Sequence, residues 1–123
     1  MISITRERFE KLVRRALSQL PDEFKSRLNN VDIVVDNVAS QNQLIGTDIE
    51  DVMELLGLYE GIPLTERYGY ELVLPDKITI FQKPIESICE TQEEITSEIK
   101  ITLTHEIAHH FGIDDDKLEE IGT

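Results

Sequence analysis

Two histidines and a glutamate share one helical turn near the end of this chain. They form the run His105-Glu106-Ile107-Ala108-His109, and Gly112 and Asp115 follow at fixed spacing. Histidines four residues apart lie one turn above each other on a helix, so both imidazoles can reach one metal ion. Glu106 lies about 100° further round the helix, where it can hold a water without binding the metal. This spacing is typical of the helical half of a zinc hydrolase site.

The histidines of the chain are clustered. His105, His109 and His110 lie within six residues of one another and are the only three in the sequence. Histidines with scattered structural roles would not group in this way, which favours a shared chemical role. His110 projects from the apolar side of the predicted helix, so we predict that it is a buried, hydrogen-bonded neighbour rather than a fourth ligand.

The third metal ligand is predicted from spacing alone. Asp115 stands where the motif needs an oxygen ligand, but Asp114 and Asp116 are adjacent. A shift of one residue in the turn would exchange them. Asp116 together with Glu119 also resembles the N-terminal cap of a short last helix, a role that needs only one of the three aspartates.

Composition limits the classes of partner. A chain of 123 residues with 40% hydrophobic and 30% charged residues is typical of one globular domain, 1–123. Its net charge of −13 argues against nucleic acid or an anionic membrane as a partner and could suit cationic peptides. The single cysteine, Cys89, excludes an intrachain disulfide. We find neither a secretory signal nor the ~20 apolar residues of a membrane span, and therefore expect a cytoplasmic location.

Hydrophobic periodicity predicts an alternation of helices and strands. A one-sided apolar stripe predicts a first helix between a Thr5 cap and Pro21, and a short second helix follows over 22–28. Residues 37–50 are polar without a clear period and are predicted to form a loop. The predicted strands are Val31–Val35, Leu55–Tyr59, Tyr70–Leu74 and Ile78–Phe81.

The motif helix has clear local signals. Thr91 and Glu94 form a capping box that fixes its start, and Gly112 is suited to end it. An apolar stripe runs along one side, and the metal-binding histidines lie on the opposite side, where they can face a cleft. The stripe consists of Ile95, Ile99, Leu103, Ile107 and Phe111.

The segment 104–116 resembles the metzincin zinc peptidases, whose motif is His-Glu-x-x-His-x-x-Gly-x-x-His/Asp. Together with the segments 55–67 and 74–81, it resembles the minimal bacterial zincin-like metallopeptidases, the "possible zincin" family. The resemblance implies an α+β fold in which a small mixed β-sheet packs on an active-site helix beside N-terminal helices. It also implies Zn²⁺ bound by His105, His109 and Asp115, with Glu106 as the catalytic base. A peptide or protein substrate would then add to a sheet edge supplied by Leu55–Tyr59 or Ile78–Phe81.

The expected chemistry is metal-assisted hydrolysis of a peptide bond. Zinc lowers the pKa of a bound water towards ~7, and Glu106 takes the proton of that water. A second stabiliser of the oxyanion is needed, and the tyrosines Tyr59, Tyr68 and Tyr70 are predicted to be packing residues. Metzincins have a Met-containing turn after the third ligand. Eight residues follow Asp115 and none is Met, so we expect this lower wall of the site to be absent.

Two other functions fit parts of the pattern. Without a lower wall, the domain could be a non-catalytic, zinc-stabilised binding module that holds a partner at its sheet edge. The histidine spacing also resembles that of bacterial metal-dependent endoribonucleases, but those have Gly in place of Glu106, and the net charge of −13 disfavours RNA. Imidazole and carboxylate ligands also accept Co, Ni or Mn. The sequence does not predict an oligomeric state.

Overall fold

The computed structural model describes residues 1–61 and 75–111. Within these ranges five helices accompany a three-stranded sheet, which confirms the predicted α+β class. The helices are α1 (Arg6–Ser18), α2 (Asp22–Arg27), α3 (Gln41–Leu44), α4 (Gln82–Ser87) and α5 (Gln92–Phe111), the last being the motif helix. The strands are β1 (Val31–Asp36), β2 (Gly57–Glu60) and β3 (Asp76–Phe81), and a single 3₁₀ turn covers Val52–Glu54.

The sheet is mixed, with β3 at its centre. The strand order is β1-β3-β2, with β1 parallel to β3 and β2 antiparallel to it. Residues 78–81 of β3 are fully buried, which suits a strand covered on both faces. The suggestion that Ile78–Phe81 supplies the substrate edge is therefore wrong. Within the described ranges β2 is an edge strand, which agrees with the alternative prediction that Leu55–Tyr59 supplies the edge.

One core joins the helices to the sheet. Ile78 and Ile80 point from β3 towards α1 and α5, where both predicted apolar stripes are buried. The stripe of α1 is formed by Phe9, Leu12, Val13 and Ala16, and that of α5 by Ile95, Ile99, Leu103 and Ile107. Burial of these side chains fixes the rotation of α5 about its own axis. In the described part of the chain, no helix combines the length and apolarity that crossing a membrane requires.

The edge formed by β1 is closed by an arginine. The Arg6 side chain donates from Nη1 to the carbonyl oxygen of Val35 (3.0 Å), from Nη2 to Oδ1 of Asn37 (2.6 Å) and from Nε to Oε1 of Gln82 (2.9 Å). At the other end of β1, the N–H of Val31 donates to the carbonyl of Leu28. Two outward-facing groups of β1, the Val31 N–H and the Val35 carbonyl, are thus already bonded within the chain, which disfavours pairing with another strand at these positions.

The predicted element boundaries need three corrections. The region 37–50, predicted as a loop, contains α3, which Ser40 and Gln43 cap reciprocally. The helix α4 was not predicted, and it begins directly after β3 with Pro84 in its first turn, where proline is tolerated. The strand predicted over Leu55–Tyr59 begins later, at Gly57, and ends at Glu60. The 3₁₀ turn over Val52–Glu54 precedes it and delays its start. The predicted strand Tyr70–Leu74 lies outside the described residues.

Replacement of Leu103 tests whether the buried face of α5 holds the fold. Leu103 is 0% exposed, so we expect Leu103→Ala to lower the free energy of unfolding by about 2–5 kcal/mol through lost burial and a cavity. Ile101→Ala is the matched control on the same helix, since Ile101 is 38% exposed. Urea denaturation followed by circular dichroism measures both. Equal losses in the two variants would contradict the assigned helix rotation.

Candidate metal centre

The motif helix has a firmly fixed start. The N–H of Glu94 donates to Oγ1 of Thr91 at 3.1 Å, and the Thr91 hydroxyl donates to Oε1 of Glu94 at 3.3 Å. The same carboxylate accepts from the N–H of Glu90 at 3.2 Å. The predicted N-terminal cap is confirmed. Together with the buried stripe, it determines which residues of α5 face away from the core.

His105 and His109 are on the exposed side of α5, as predicted. Their rings are nearly parallel, at an interplanar angle of 5° with 6.3 Å between ring centres. With zinc–nitrogen bonds of about 2.1 Å, each ring centre would lie about 3.2 Å from a shared ion. In a tetrahedral zinc site the two ring centres would be only about 5 Å apart and both ring planes would point at the ion, so both side chains have to turn from their present positions to share it. Neutral imidazole nitrogens are donors that suit zinc.

Glu106 lies between the exposed histidines and the sheet, and it is partly buried. Burial raises the pKa of its carboxyl group, because the charged form loses solvation. Nearby His109 and a hydrogen bond from the backbone N–H of Tyr59 act in the opposite direction and lower the pKa. Glu106 therefore connects the histidine face of α5 with strand β2.

The backbone of β2 alternates between two directions. The N–H of Phe81 donates to the carbonyl of Leu56 at 2.9 Å, which fixes the register of the antiparallel ladder. By alternation, the backbone groups of Leu58 face β3, whereas those of Gly57 and Tyr59 face outwards. The hydrogen bond from Tyr59 to Glu106 agrees with this assignment. The outward side of β2 thus lies beside Glu106.

Gly57 allows β2 to lie very close to α5. A Cβ atom at this position would be 2.5 Å from Cγ2 of Thr102 and 3.2 Å from the carbonyl oxygen of Thr79. Both distances are shorter than ordinary van der Waals contact. Thr102 lies one turn before Glu106 on α5. The distance from the edge strand to the motif helix therefore depends on a residue without a side chain.

His110 differs from its prediction. Its side chain is 41% exposed rather than buried, because it lies between Glu106 and the apolar stripe, at the rim of the described core. The ring of Tyr59 stacks on it, with 3.7 Å between ring centres and 14° between planes. The prediction that Tyr59 is a packing residue does not include its contacts with both His110 and Glu106. The available signal was its place in the segment 55–67 that carries the family resemblance.

The predicted oxygen ligand, Asp115, lies outside the described residues. So do its neighbours Asp114 and Asp116, the tyrosines Tyr68 and Tyr70, and Gly112, which is predicted to end the motif helix. Over residues 1–61 and 75–111, no group of three or more His, Cys, Asp or Glu side chains is arranged to hold a metal ion. The structure brings together His105, His109 and Glu106, and the identity of the third ligand stays a prediction.

Comparison with known proteins identifies the class. Residues 28–123 match the model of the zincin-like metallopeptidases, so the chain belongs to this family. Among solved structures, it is similar to a conserved hypothetical protein from Thermus thermophilus, with 26% sequence identity and a TM-score of 0.60. That similarity covers 88% of this chain and 94% of the other. No curated protein matches the sequence.

The close approach at Gly57 can be tested by adding a methyl group. We expect Gly57→Ala to lower the free energy of unfolding by about 1–3 kcal/mol, as overpacking does elsewhere, because the new Cβ overlaps Cγ2 of Thr102. Adding Thr102→Ser removes that methyl group and should restore part of the loss. A double-mutant cycle by urea denaturation measures the coupling. Additive effects would show that the two residues do not meet.

Proposed function

We propose that this protein is a zinc-dependent peptidase. The observation that carries the proposal is the arrangement of His105, Glu106 and His109 on α5. The two imidazoles are exposed one helical turn apart on the same side of α5, and the glutamate between them adjoins a sheet edge. Membership of the zincin-like metallopeptidase family supports the same assignment.

The proposed ligands are His105, His109 and Asp115. The first two are supported by their places one turn apart on the exposed side of α5, and Asp115 by the metzincin-type spacing of the sequence. When bound, zinc would supply a Lewis acid that polarises the scissile carbonyl and acidifies water. Two neutral imidazoles and one carboxylate would leave this site with a net charge of +1. A weaker Lewis acid of this kind relies more on its general base.

The general base is Glu106. Its carboxylate accepts a proton from the attacking water as the new carbon–oxygen bond forms. It then delivers that proton to the leaving amine as the carbon–nitrogen bond breaks. Partial burial and the hydrogen bond from the Tyr59 N–H restrict the carboxylate to one side of the histidines, so it is positioned before substrate binds.

The substrate is an extended peptide or protein segment at β2. A segment that adds as a strand on the outward side of β2 would have its backbone beside Glu106. The other edge of the described sheet is less suitable, because Arg6 occupies the carbonyl of Val35. The net charge of −13 favours cationic segments over acidic ones.

Metal content tests the ligand set. We expect one zinc per chain in untagged protein purified without added zinc, and a large loss of zinc in Asp115→Ala because three protein ligands are needed to hold the ion. Elemental mass spectrometry measures the ratio. Asp114→Ala and Asp116→Ala are the matched controls and should retain zinc. Loss of zinc in one of these instead of Asp115→Ala would reassign the third ligand, and a wild type that takes up no zinc would overturn the proposal.

Replacement of Glu106 separates a peptidase from a zinc-stabilised binding module. Glu106→Gln should keep its zinc but lose at least about a hundredfold in peptide turnover, since a general base contributes that much or more. A fluorogenic peptide library rich in cationic sequences provides the assay. Glu93→Gln, an exposed carboxylate in the first turn of α5, is the control and should cleave like the wild type. Zinc-loaded wild type that cleaves nothing in the library would instead indicate the binding module.

A further inference from the structure

We propose that Tyr59 is a positioning residue, which links the edge strand to the last described turn of α5 and so orients His109. This inference rests on the proposed metal site. It concerns a set of residues that we name the Tyr59 cluster, made of Tyr59, Asp76, His110 and Phe111. None of the four is proposed to bind the metal.

The ring of Tyr59 contacts both residues at the end of α5. It stacks on His110 with 3.7 Å between ring centres, and it meets Phe111 edge to face at 6.2 Å and 86°. His110 and Phe111 also meet edge to face, at 5.1 Å and 84°. Aromatic pairs in these geometries contribute more than burial of the same area would, so the three rings form a specific contact.

The hydroxyl of Tyr59 anchors the ring from the other side. It donates to Oδ2 of Asp76 at 2.8 Å, and the same oxygen lies 3.9 Å from Nε2 of His110. Asp76 is the first residue of β3, the central strand. The stacked pair is therefore tied to a rigid part of the sheet, and the contact joins α5, β2 and β3 at one point.

The turn that carries His109 depends on such a contact. Helical turns open locally with small free energies unless contacts outside the helix hold them. His105 lies a turn further inside α5, whereas His109 is in the last turn before Phe111. Because both imidazoles must meet one ion, any fraying moves His109 relative to His105. The Tyr59 cluster holds this turn through the two residues that follow His109, and it leaves the exposed ligand face open.

Sheet and helix are thereby coupled through one residue. The backbone N–H of Tyr59 bonds Glu106, while the ring holds the turn that carries His109. A residue of the proposed substrate edge thus contacts the base directly and one ligand indirectly. We infer that the orientation of the metal-binding turn depends on the ring of Tyr59 and not on the acid–base chemistry of His110.

The first experiment uses metal-free protein and does not depend on the proposed function. Hydrogen exchange followed by mass spectrometry compares Tyr59→Leu with the wild type over residues 105–111. We expect at least about tenfold faster exchange in this segment, because the stack that holds it is lost. Val13→Ala, at a buried residue of α1 outside the cluster, controls for a general loss of stability and should leave this segment protected relative to the rest of α5. Equal exchange in both variants would overturn the inference.

The second experiment measures zinc affinity by competition with a chromophoric chelator. We expect Tyr59→Leu and His110→Ala to bind zinc about tenfold more weakly, within the range found when residues supporting metal ligands are removed. His110→Phe restores a stacked ring and should bind like the wild type. Tyr59→Phe keeps the stack but loses the hydrogen bond to Asp76, so an intermediate affinity is expected. The visible spectrum of the Co²⁺-substituted proteins should change in the first two variants and stay unchanged in His110→Phe.

The outcomes separate the inference from the proposed function. A wild type that binds no zinc would overturn the proposed function, and the exchange experiment would still decide the role of Tyr59. Weak zinc binding by His110→Phe would show that His110 acts as a ligand, which contradicts the inference. Wild-type affinity and Co²⁺ spectrum in Tyr59→Leu would also contradict it, with the metal site itself intact.

Discussion

The close approach of strand β2 to helix α5 is the constraint on which the rest of the site depends. Gly57 lies against Thr102, and no methyl group fits between them. This contact sets the distance between the strand and the helix, and the residues that follow Gly57 lie equally close to the helix. Because the strand lies this close to the helix, Tyr59 contacts Glu106 with its backbone and His110 with its ring. A wider gap would replace both contacts with water.

Helix α5 satisfies two opposite requirements along its length. Its apolar side belongs to the core shared with α1 and the sheet, so the helix cannot rotate. The side that carries His105 and His109 stays open, where a metal ion and a substrate can approach. Glu106 lies at the boundary and has the mixed environment that its position implies. Rigidity on one side thus permits exposure on the other without loss of geometry.

The sequence predicted those parts of the site whose signals are local. The cap at Thr91, the apolar stripe and the histidine spacing all lie within α5 and depend only on helical periodicity. The central place of β3 was missed because periodicity does not tell which strands pair. The helix α3 has a local signal in the Ser40 and Gln43 box, but the polar composition around that box is equally typical of a loop. The stack of Tyr59 on His110 depends on the register between a strand and a helix far apart in sequence, which no local pattern contains.

The packing of α1 against α5 also has a consequence for the order of events during synthesis. Phe9 and Ile99 belong to the same buried cluster, although most of the described chain lies between them. Contacts of such long range form late, because the intervening loops must close first. The first helix therefore emerges from the ribosome without its partner and stays unpaired until the motif helix is made. The histidines proposed to bind zinc lie on this same motif helix, so the proposed site would take its final form only after this closure.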